Sequence, residues 1–328
     1  MISIAQKPFV FSHLPGSTCL IPGTSFQVVA FPTRIEIYEL CPNKKRLVKQ
    51  IQLDIKGPVQ KFIMKQDLQR GCVSIWSEKL CCHILPNLDV VFRKKAPHWF
   101  SHVKEQLSLG SHKKQEWEAI RKRGDFREIF PIWFRLGTLL NLPEREYNDE
   151  DGMFSLLQQC LRAAESNRPE TILSPFKKLF LAAFEGMLVP RLKDEQFQGI
   201  LPDNAPISPS SPLYLLKEGA KLIRSLFIQS SKNEIAILPH LPPQFFAGRM
   251  LHLSCPPFGE IDLEWSKKQI HRLVFRAHQD GELSFRFHSS LSSFRLRTER
   301  RDKGKILACD KPLEIKSGCD YLLDQFQK

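Results

Sequence analysis

The sequence lacks the short motifs that mark the common catalytic and cofactor sites. It has no P-loop, no G-x-G-x-x-G fingerprint, no G-x-S-x-G nucleophile elbow and no H-E-x-x-H zinc motif. Each of these motifs holds a phosphate, a dinucleotide, a nucleophilic serine or a zinc ion through a defined backbone geometry. Their absence argues against the corresponding enzyme classes, and no pattern in the chain predicts a cofactor.

Cysteine motifs are missing as well. None of the nine cysteines belongs to a C-x-x-C pair, and the closest two, Cys81 and Cys82, are adjacent. Adjacent thiols form neither an ordinary structural disulfide nor a zinc knuckle, so we expect reduced thiols that are mostly buried as small apolar side chains. The closest histidines, His98 and His102, share a predicted helix face without a third ligand. We therefore predict no metal site.

Long apolar runs are absent too. No stretch approaches the roughly 18 consecutive apolar residues of a membrane-spanning helix. The residues after Lys7 are too few and too polar for the apolar core of a signal peptide. An odd number of scattered cysteines is typical of a reducing compartment. These features predict a cytoplasmic protein without a membrane span, and secretion without a cleaved signal stays open.

What the chain does contain is a hydrophobic period that changes twice along its 328 residues. Short alternating or β-branched runs, such as residues 26–31 and 72–76, fill the first block and end at proline or glycine. The middle block has apolar positions at helical spacing, for example over residues 153–164 and 213–227. The last block alternates again, and Asp280-Gly281 is a hairpin signal between two of its predicted strands.

These blocks predict a multidomain α+β fold. A chain of 328 residues is long enough for two or three domains, each with its own core. We assign an N-terminal antiparallel β domain to residues 1–97, a partial helical domain of α/α type to residues 98–232, and a C-terminal antiparallel β-sandwich to residues 233–328.

Basic charge is concentrated near the C-terminus. The net charge is +13, and residues 267–305 hold eleven basic residues against four acidic ones. Strand alternation predicts an outward basic face that would bind an anionic partner such as nucleic acid, phospholipid or an acidic glycan. Its members are Arg286, Arg295, Arg297, Arg300 and Arg301.

A solvated outer face explains the same arginines without any partner. No aromatic residue alternates with them as a base-stacking residue would, and no helix-turn-helix, zinc-finger or RNA-recognition signature is present. Nucleic acid is therefore disfavoured as a partner.

Aromatic side chains crowd residues 117–134. Their helical spacing is typical of a buried core, and the alternative is a sugar-stacking or partner-binding surface around Trp117 and Trp133. Residues 107–137 are also similar to a segment of uncharacterised chlamydial proteins, a resemblance that implies no activity.

The C-terminal third resembles a known family. Residues 233–248, NEIAILPHLPPQFFAG, are similar to the junction between the helical barrel and the C-terminal β-sandwich in the (α/α)6-barrel α-L-fucosidase family. The strand 260–265 resembles one of that family's sandwich strands, residues 316–323 resemble its terminal hairpin, and residues 212–230 resemble its last barrel helix. Over about 212–328 the resemblance implies an accessory sandwich of glycosidase origin.

The catalytic motif of that family is missing. In the family an Asp-Gly-Asn-Phe-Gly type motif, which carries the base, precedes the last barrel helix, whereas residues 209–214 contain no carboxylate. The block 98–232 also holds fewer helices than a full barrel needs. We therefore expect a non-catalytic, glycosidase-derived binding or scaffold protein, with a carbohydrate or another protein as its ligand.

Two alternatives stay open. One is an anionic-polymer binder that uses the C-terminal basic face. The other is a carbohydrate-active hydrolase, which in the inverting case needs two carboxyl groups about 6.5–9.5 Å apart. The helical block offers candidate carboxylates without singling out a pair, such as Asp125, Glu128, Asp149, Glu150, Asp151 and Glu185.

Overall fold

The computed structural model describes residues 2–7, 16–41, 44–100, 105–111, 115–143, 153–166, 168–192, 211–287, 291–299 and 301–328. The chain divides into two compact units. Unit 1 consists of residues 1–103, 113–160 and 174–220, and unit 2 consists of residues 104–112, 161–173 and 221–328.

Short strands dominate both units. The first ten are β1 (Ser3–Gln6), β2 (Ser17–Leu20), β3 (Phe26–Ala30), β4 (Arg34–Cys41), β5 (Lys44–Gln52), β6 (Ile63–Asp67), β7 (Cys72–Trp76), β8 (Cys81–Ile84), β9 (Val90–Val91) and β10 (Gln106–Ser108). The α-helices are α1 (Trp117–Arg123), α2 (Phe126–Leu139), α3 (Phe154–Glu165), α4 (Leu173–Ala183) and α5 (Leu213–Ser225), with a 3-10 turn at Pro169–Thr171. The later strands are β11 (Phe184–Glu185), β12 (Val189–Pro190), β13 (Ile228–Ser230), β14 (Glu234–Ile237), β15 (Gly248–Cys255), β16 (Gly259–Ser266), β17 (Gln269–Ala277), β18 (Gly281–Phe287), β19 (Ser293–Arg297), β20 (Lys305–Ala308), β21 (Leu313–Ile315) and β22 (Asp320–Gln327).

Unit 1 contains two larger antiparallel sheets, the two-stranded antiparallel pair of β11 and β12, and a helical core. Strands β1-β6-β7-β8-β9 form one sheet and β2-β3-β4-β5 form the other. The helical core packs closely because two glycines lie where α2 meets α5. A Cβ atom on Gly137 would lie 2.4 Å from the backbone oxygen of Leu216, and one on Gly219 would lie 2.4 Å from the ring of Trp133.

Unit 2 contains two facing sheets. The larger has seven strands in the order β10-β15-β16-β17-β22-β19-β20, and the smaller has four in the order β13-β14-β18-β21. Their inner faces pack through aromatic side chains, as in the contact of Phe275 on β17 with Phe285 on β18, whose ring centroids lie 5.9 Å apart. The pair β14–β18 is parallel, so the smaller sheet departs from the antiparallel pattern that alternation suggested.

Two expected hairpins in unit 2 are corrected by the pairing. Asp280-Gly281 lies where the chain crosses between sheets, because β17 pairs with β16 and β22 whereas β18 pairs with β14 and β21. Residues 316–323 likewise form no hairpin: residues 316–319 connect β21 to β22, whose first residues are 320–323, and the two strands belong to different sheets. Turn chemistry is a local signal, and it does not specify which strand becomes the neighbour.

At the level of architecture the prediction is confirmed as a mixed, β-rich fold with many antiparallel sheets. The division into compact units follows other boundaries than residues 97 and 232, and the three-domain assignment stays a prediction. Among the described residues, no helix combines the length and the hydropathy needed to cross a membrane.

Candidate functional site

The outward face of the seven-stranded sheet carries its side chains in register. Along β16, β17 and β22 buried residues alternate with less buried ones, and antiparallel pairing sets the outward residues side by side in rows across the strands. We call this surface the ladder face and define it by three rows. The first is Arg249, Glu264, Arg272, Asp324 and Arg295; the second is Asp262, Val274, Leu322 and Arg297; the third is Glu260, Arg276 and Asp320.

The first row alternates in charge across five strands. Arg249 and Glu264 approach to 3.7 Å, and Arg295 donates to both carboxylate oxygens of Asp324 at 2.7 and 3.0 Å. Opposite charges directly across antiparallel strands stabilise a sheet by about 0.2–1 kcal/mol per pair. Sheet stability therefore accounts for part of the pattern.

The third row is organised by one guanidinium. Arg276 donates to Glu260 Oε1 at 3.0 Å and to Asp262 Oδ2 at 2.6 Å, so it connects the third row to the second. Burial alone would raise the pKa of the Asp262 carboxyl, but the hydrogen bonds from Arg276 and from the His252 backbone N–H outweigh burial. The pKa of Asp262 therefore lies below its ordinary value, and the carboxylate stays ionised.

The second row supplies an apolar floor between the charged rows. Val274 and Leu322 lie at its centre, and Leu251 of β15 extends it. A cavity of about 340 Å³ lies over these side chains, and its walls include Arg249, Arg272 and Arg276. A second cavity of about 550 Å³ shares Arg272 and Leu322 with the first. We call the two together the ladder cleft.

A β-bulge brings a histidine to this face. The register of β15 against β16 shifts between Met250 and Leu253, and His252 adopts a φ of 57° there. Its backbone N–H donates to Asp262 Oδ1 at 2.8 Å, and its ring Nδ1 lies 2.9 Å from Glu260 Oε1. The bulge thus ties β15 to Glu260 and Asp262 of β16.

His252, Glu260 and Asp262 also have the ligand types of a metal site. Their nitrogen and oxygen atoms lie within 4.8 Å of one another. Both carboxylates already accept hydrogen bonds from Arg276, so a divalent cation would have to bind beside a guanidinium and compete with it. The group is better explained as an ion-pair network.

The predicted basic arginines do not share one face. Arg295 and Arg297 both bond to Asp324 on the ladder face. Arg286 lies on β18 of the smaller sheet, on the side away from the packed ring of Phe287, and donates to Glu234 at 2.9 Å. Arg301 is exposed in the turn after β19, and Arg300 lies outside the described residues. The expectation of a single basic face is corrected, whereas anion binding by its members stays a prediction.

Trp117 and Trp133 lie in the helical core of unit 1, not on a surface. Their exposed fractions are 1% and 0%. Trp117 donates its indole N–H to the backbone oxygen of Gly186, and Trp133 donates to the backbone oxygen of Leu216 at 3.2 Å. Trp133 also packs edge-on against Phe184, at 4.8 Å between ring centroids. The two rings therefore form the buried core that their helical spacing favoured, and the alternative of an aromatic binding surface is corrected, because no face of either ring reaches solvent.

Three of the six candidate carboxylates of the helical block lie in the described part of the chain, and each is paired with a cation. Asp125 accepts from Arg127 at the start of α2, and Glu128 accepts two hydrogen bonds from Arg123. Glu185 pairs with Lys45 at 3.1 Å. Residues 149–151 lie outside the described part of the chain.

Comparison with known proteins adds no family to this picture. No protein-family model matches the chain, and no curated protein matches it at a significant level. A function is therefore inferred from the side chains that line the ladder cleft.

Sequence reasoning found two arginines of the ladder face and missed its centre. The missed signal is the complementarity of two alternating runs, in which Glu260, Asp262 and Glu264 on β16 face the R-x-V-x-R pattern of residues 272–276 on β17. Matching the charges of these neighbouring runs would have indicated the pairing.

Proposed function

We propose that the protein is a non-catalytic binding protein whose ladder cleft holds a carbohydrate. The observation that carries this proposal is the lining of the cleft, where the apolar floor of Val274 and Leu322 lies between rows of guanidinium and carboxylate groups. A sugar ring has an apolar C–H face and a rim of hydroxyl groups. The apolar floor suits the C–H face of the ring, and the charged rows supply the hydrogen-bond donors and acceptors that the hydroxyl groups require.

The charge balance of the cavity of about 340 Å³ favours a compact polar ligand over a polyanion. Three arginines and four carboxylates line the cavity of about 340 Å³. A polyanion surface gains its affinity from an excess of positive charge, which this lining does not have. The anionic-polymer alternative is therefore less well supported here.

The state of the carboxylates supports binding without hydrolysis. Glu260 and Asp262 are both held by Arg276, and the pKa of Asp262 is lowered. A glycosidase acid instead needs a raised pKa, so that it carries a proton at working pH. The ionised carboxylate of Asp262 suits hydrogen-bond acceptance from hydroxyl groups.

The resemblance of residues 212–328 to the α-L-fucosidase family supports the same proposal. We include in it a glycosidase origin, with unit 2 as an accessory sandwich and the helices α1 to α5 as a partial α/α array. The missing base motif at residues 209–214 is the reason for placing the protein among non-catalytic relatives.

The test is a titration of the purified protein with a panel of neutral and acidic oligosaccharides, followed by calorimetry. Val274→Lys puts a charged side chain on the apolar floor, and we expect it to weaken binding by at least about 10-fold, or 1.4 kcal/mol. Arg286→Ala, on the smaller sheet, is the matched control and should bind as the unaltered protein does.

Three results would contradict the proposal. Binding that survives Val274→Lys would place the ligand elsewhere, and a panel without any binder would exclude a carbohydrate. Hydrolysis of aryl-glycosides that disappears on replacement of a carboxylate would establish the hydrolase alternative instead.

A further inference from the structure

Within the described part of the chain, one guanidinium in the ladder cleft has no partner of its own. Arg272 is exposed on β17, directly across from Glu264 on one side and Asp324 on the other. Each of these carboxylates pairs with a different arginine. Among the described residues, no hydrogen bond or ion pair engages Arg272.

Positive charge exceeds negative charge at this end of the cleft. The cavity of about 550 Å³ is lined by His271, Arg272, Arg297, Leu322 and Asp324. Arg295 lies next to this lining and forms two further hydrogen bonds to the same carboxylate of Asp324. Among the described residues that line this cavity, the one carboxylate of Asp324 therefore lies with the two guanidinium groups of Arg272 and Arg297, whereas three arginines and four carboxylates line the neighbouring cavity.

We propose that this end of the ladder cleft binds one anionic group, a carboxylate, sulfate or phosphate ester, and that the ligand is an acidic carbohydrate. This inference rests on the proposed function and names its substrate class. The planar fork of a guanidinium matches two oxygens of such a group, and Arg272 has its donors available. Arg297, fixed by Asp324, presents a second cation to the same space.

The apolar floor sets the position of the anionic group. Leu322 lines both cavities, so the floor continues from Val274 toward Arg272 without interruption by a charged side chain. A ring seated on this floor would direct a substituent into the space between Arg272 and Arg297. The ring and the anionic group would thus be recognised by adjacent parts of one surface.

The test uses the full chain with two kinds of ligand. Inorganic sulfate and phosphate report on the anion site alone, through the NMR signal of the Arg272 side-chain N–H. Matched pairs of oligosaccharides, with and without one sulfate or carboxylate, report on the whole cleft. We expect the acidic member of a pair to bind about 10-fold more tightly than the neutral member. In a plot of the logarithm of the binding constant for the acidic member against the logarithm of the salt concentration, we expect a slope near −1, as for a single ionic contact.

Arg272→Gln is the decisive variant. It should remove the response to sulfate and the preference for the acidic member, so that the two members of a pair bind this variant with equal affinity. Arg286→Gln is the control, because Arg286 lies on the other sheet and pairs with Glu234. Retention of the acidic preference in Arg272→Gln would overturn the inference.

The remaining outcomes separate this inference from the proposed function. Equal affinity for both members in the unaltered protein would overturn the anion site and leave carbohydrate binding intact. Sulfate binding that depends on Arg272, without any bound oligosaccharide, would support the anion site and overturn the carbohydrate. A slope of binding constant against salt concentration that corresponds to several ionic contacts would indicate a polyanion-binding surface and contradict a site for a single anionic group.

Discussion

Asp324 is the carboxylate that holds two arginines of the ladder face. The hydrogen bonds from Arg295 keep its pKa below its ordinary value against partial burial, and the bond from Arg297 acts in the same direction. The folded protein therefore keeps Asp324 ionised at a lower pH than the unfolded chain does. The resulting stabilisation is present above the unfolded pKa of about 3.9 and is lost as the pH falls toward the folded value.

Replacement of Asp324 should accordingly change stability in a pH-dependent manner. We expect Asp324→Asn to lower the free energy of unfolding by about 1 kcal/mol near neutral pH, because Arg295 and Arg297 lose their shared partner. Urea unfolding near neutral pH and again at about pH 3 should show this difference shrinking as Asp324 becomes protonated. Asp54→Asn, at an exposed carboxylate without a described partner, is the control. A difference that is unchanged at low pH would contradict the role assigned to Asp324.

Helices α2 and α5 approach each other closely where glycine leaves room. Gly219 faces the ring of Trp133, and an added Cβ would lie 2.4 Å from that ring. Alanine stabilises a helix by about 1 kcal/mol relative to glycine, so a glycine-to-alanine substitution in open space would stabilise α5. At Gly219 the overlap of the new methyl group with the ring of Trp133 would instead destabilise the protein.

The loss of stability from this steric overlap should exceed the gain from the higher helix propensity of alanine. We expect Gly219→Ala to lower the free energy of unfolding by about 1–3 kcal/mol, the usual range for overpacking, as measured by urea denaturation. Combining it with Trp133→Phe provides the control, since the smaller ring gives space to the new methyl group. The double variant should lose less stability than the sum of the single variants, and strict additivity would contradict a direct clash.

Individual strands were predictable because alternation is a local property. The strands β3, β7 and β16 lie where alternating or β-branched runs placed them. The neighbours of each strand were not predictable in this way, as Asp280-Gly281 illustrates. The ladder face depends on five strands brought together in one register, so only part of it could be recognised from the chain.

At the scale of the whole molecule, the cysteines are distributed as small apolar residues. All nine are free thiols, and five of them are buried: Cys19, Cys72, Cys82, Cys160 and Cys255. Burial raises the pKa of Cys72 to about 11 and that of Cys82 to about 12. Because the thiolate is the reactive form, these buried groups should be inert toward thiol reagents.

Thiol counting tests this distribution directly. The four half-buried cysteines are Cys41, Cys81, Cys309 and Cys319, and we expect at most these four to react with Ellman's reagent in the folded protein. In denaturant all nine should react, which provides the internal control. Rapid reaction of all nine without denaturant would contradict the described cores.

The alternating rows also determine how a partner would approach. Because cations and anions neighbour each other across the strands, the fields of the ladder face largely cancel within a few ångströms of the surface. Such a face exerts little long-range steering despite the net charge of +13 on the chain. Encounter would then proceed at the unsteered rate of about 10⁵–10⁶ M⁻¹s⁻¹, and selectivity would reside in how long a ligand stays bound.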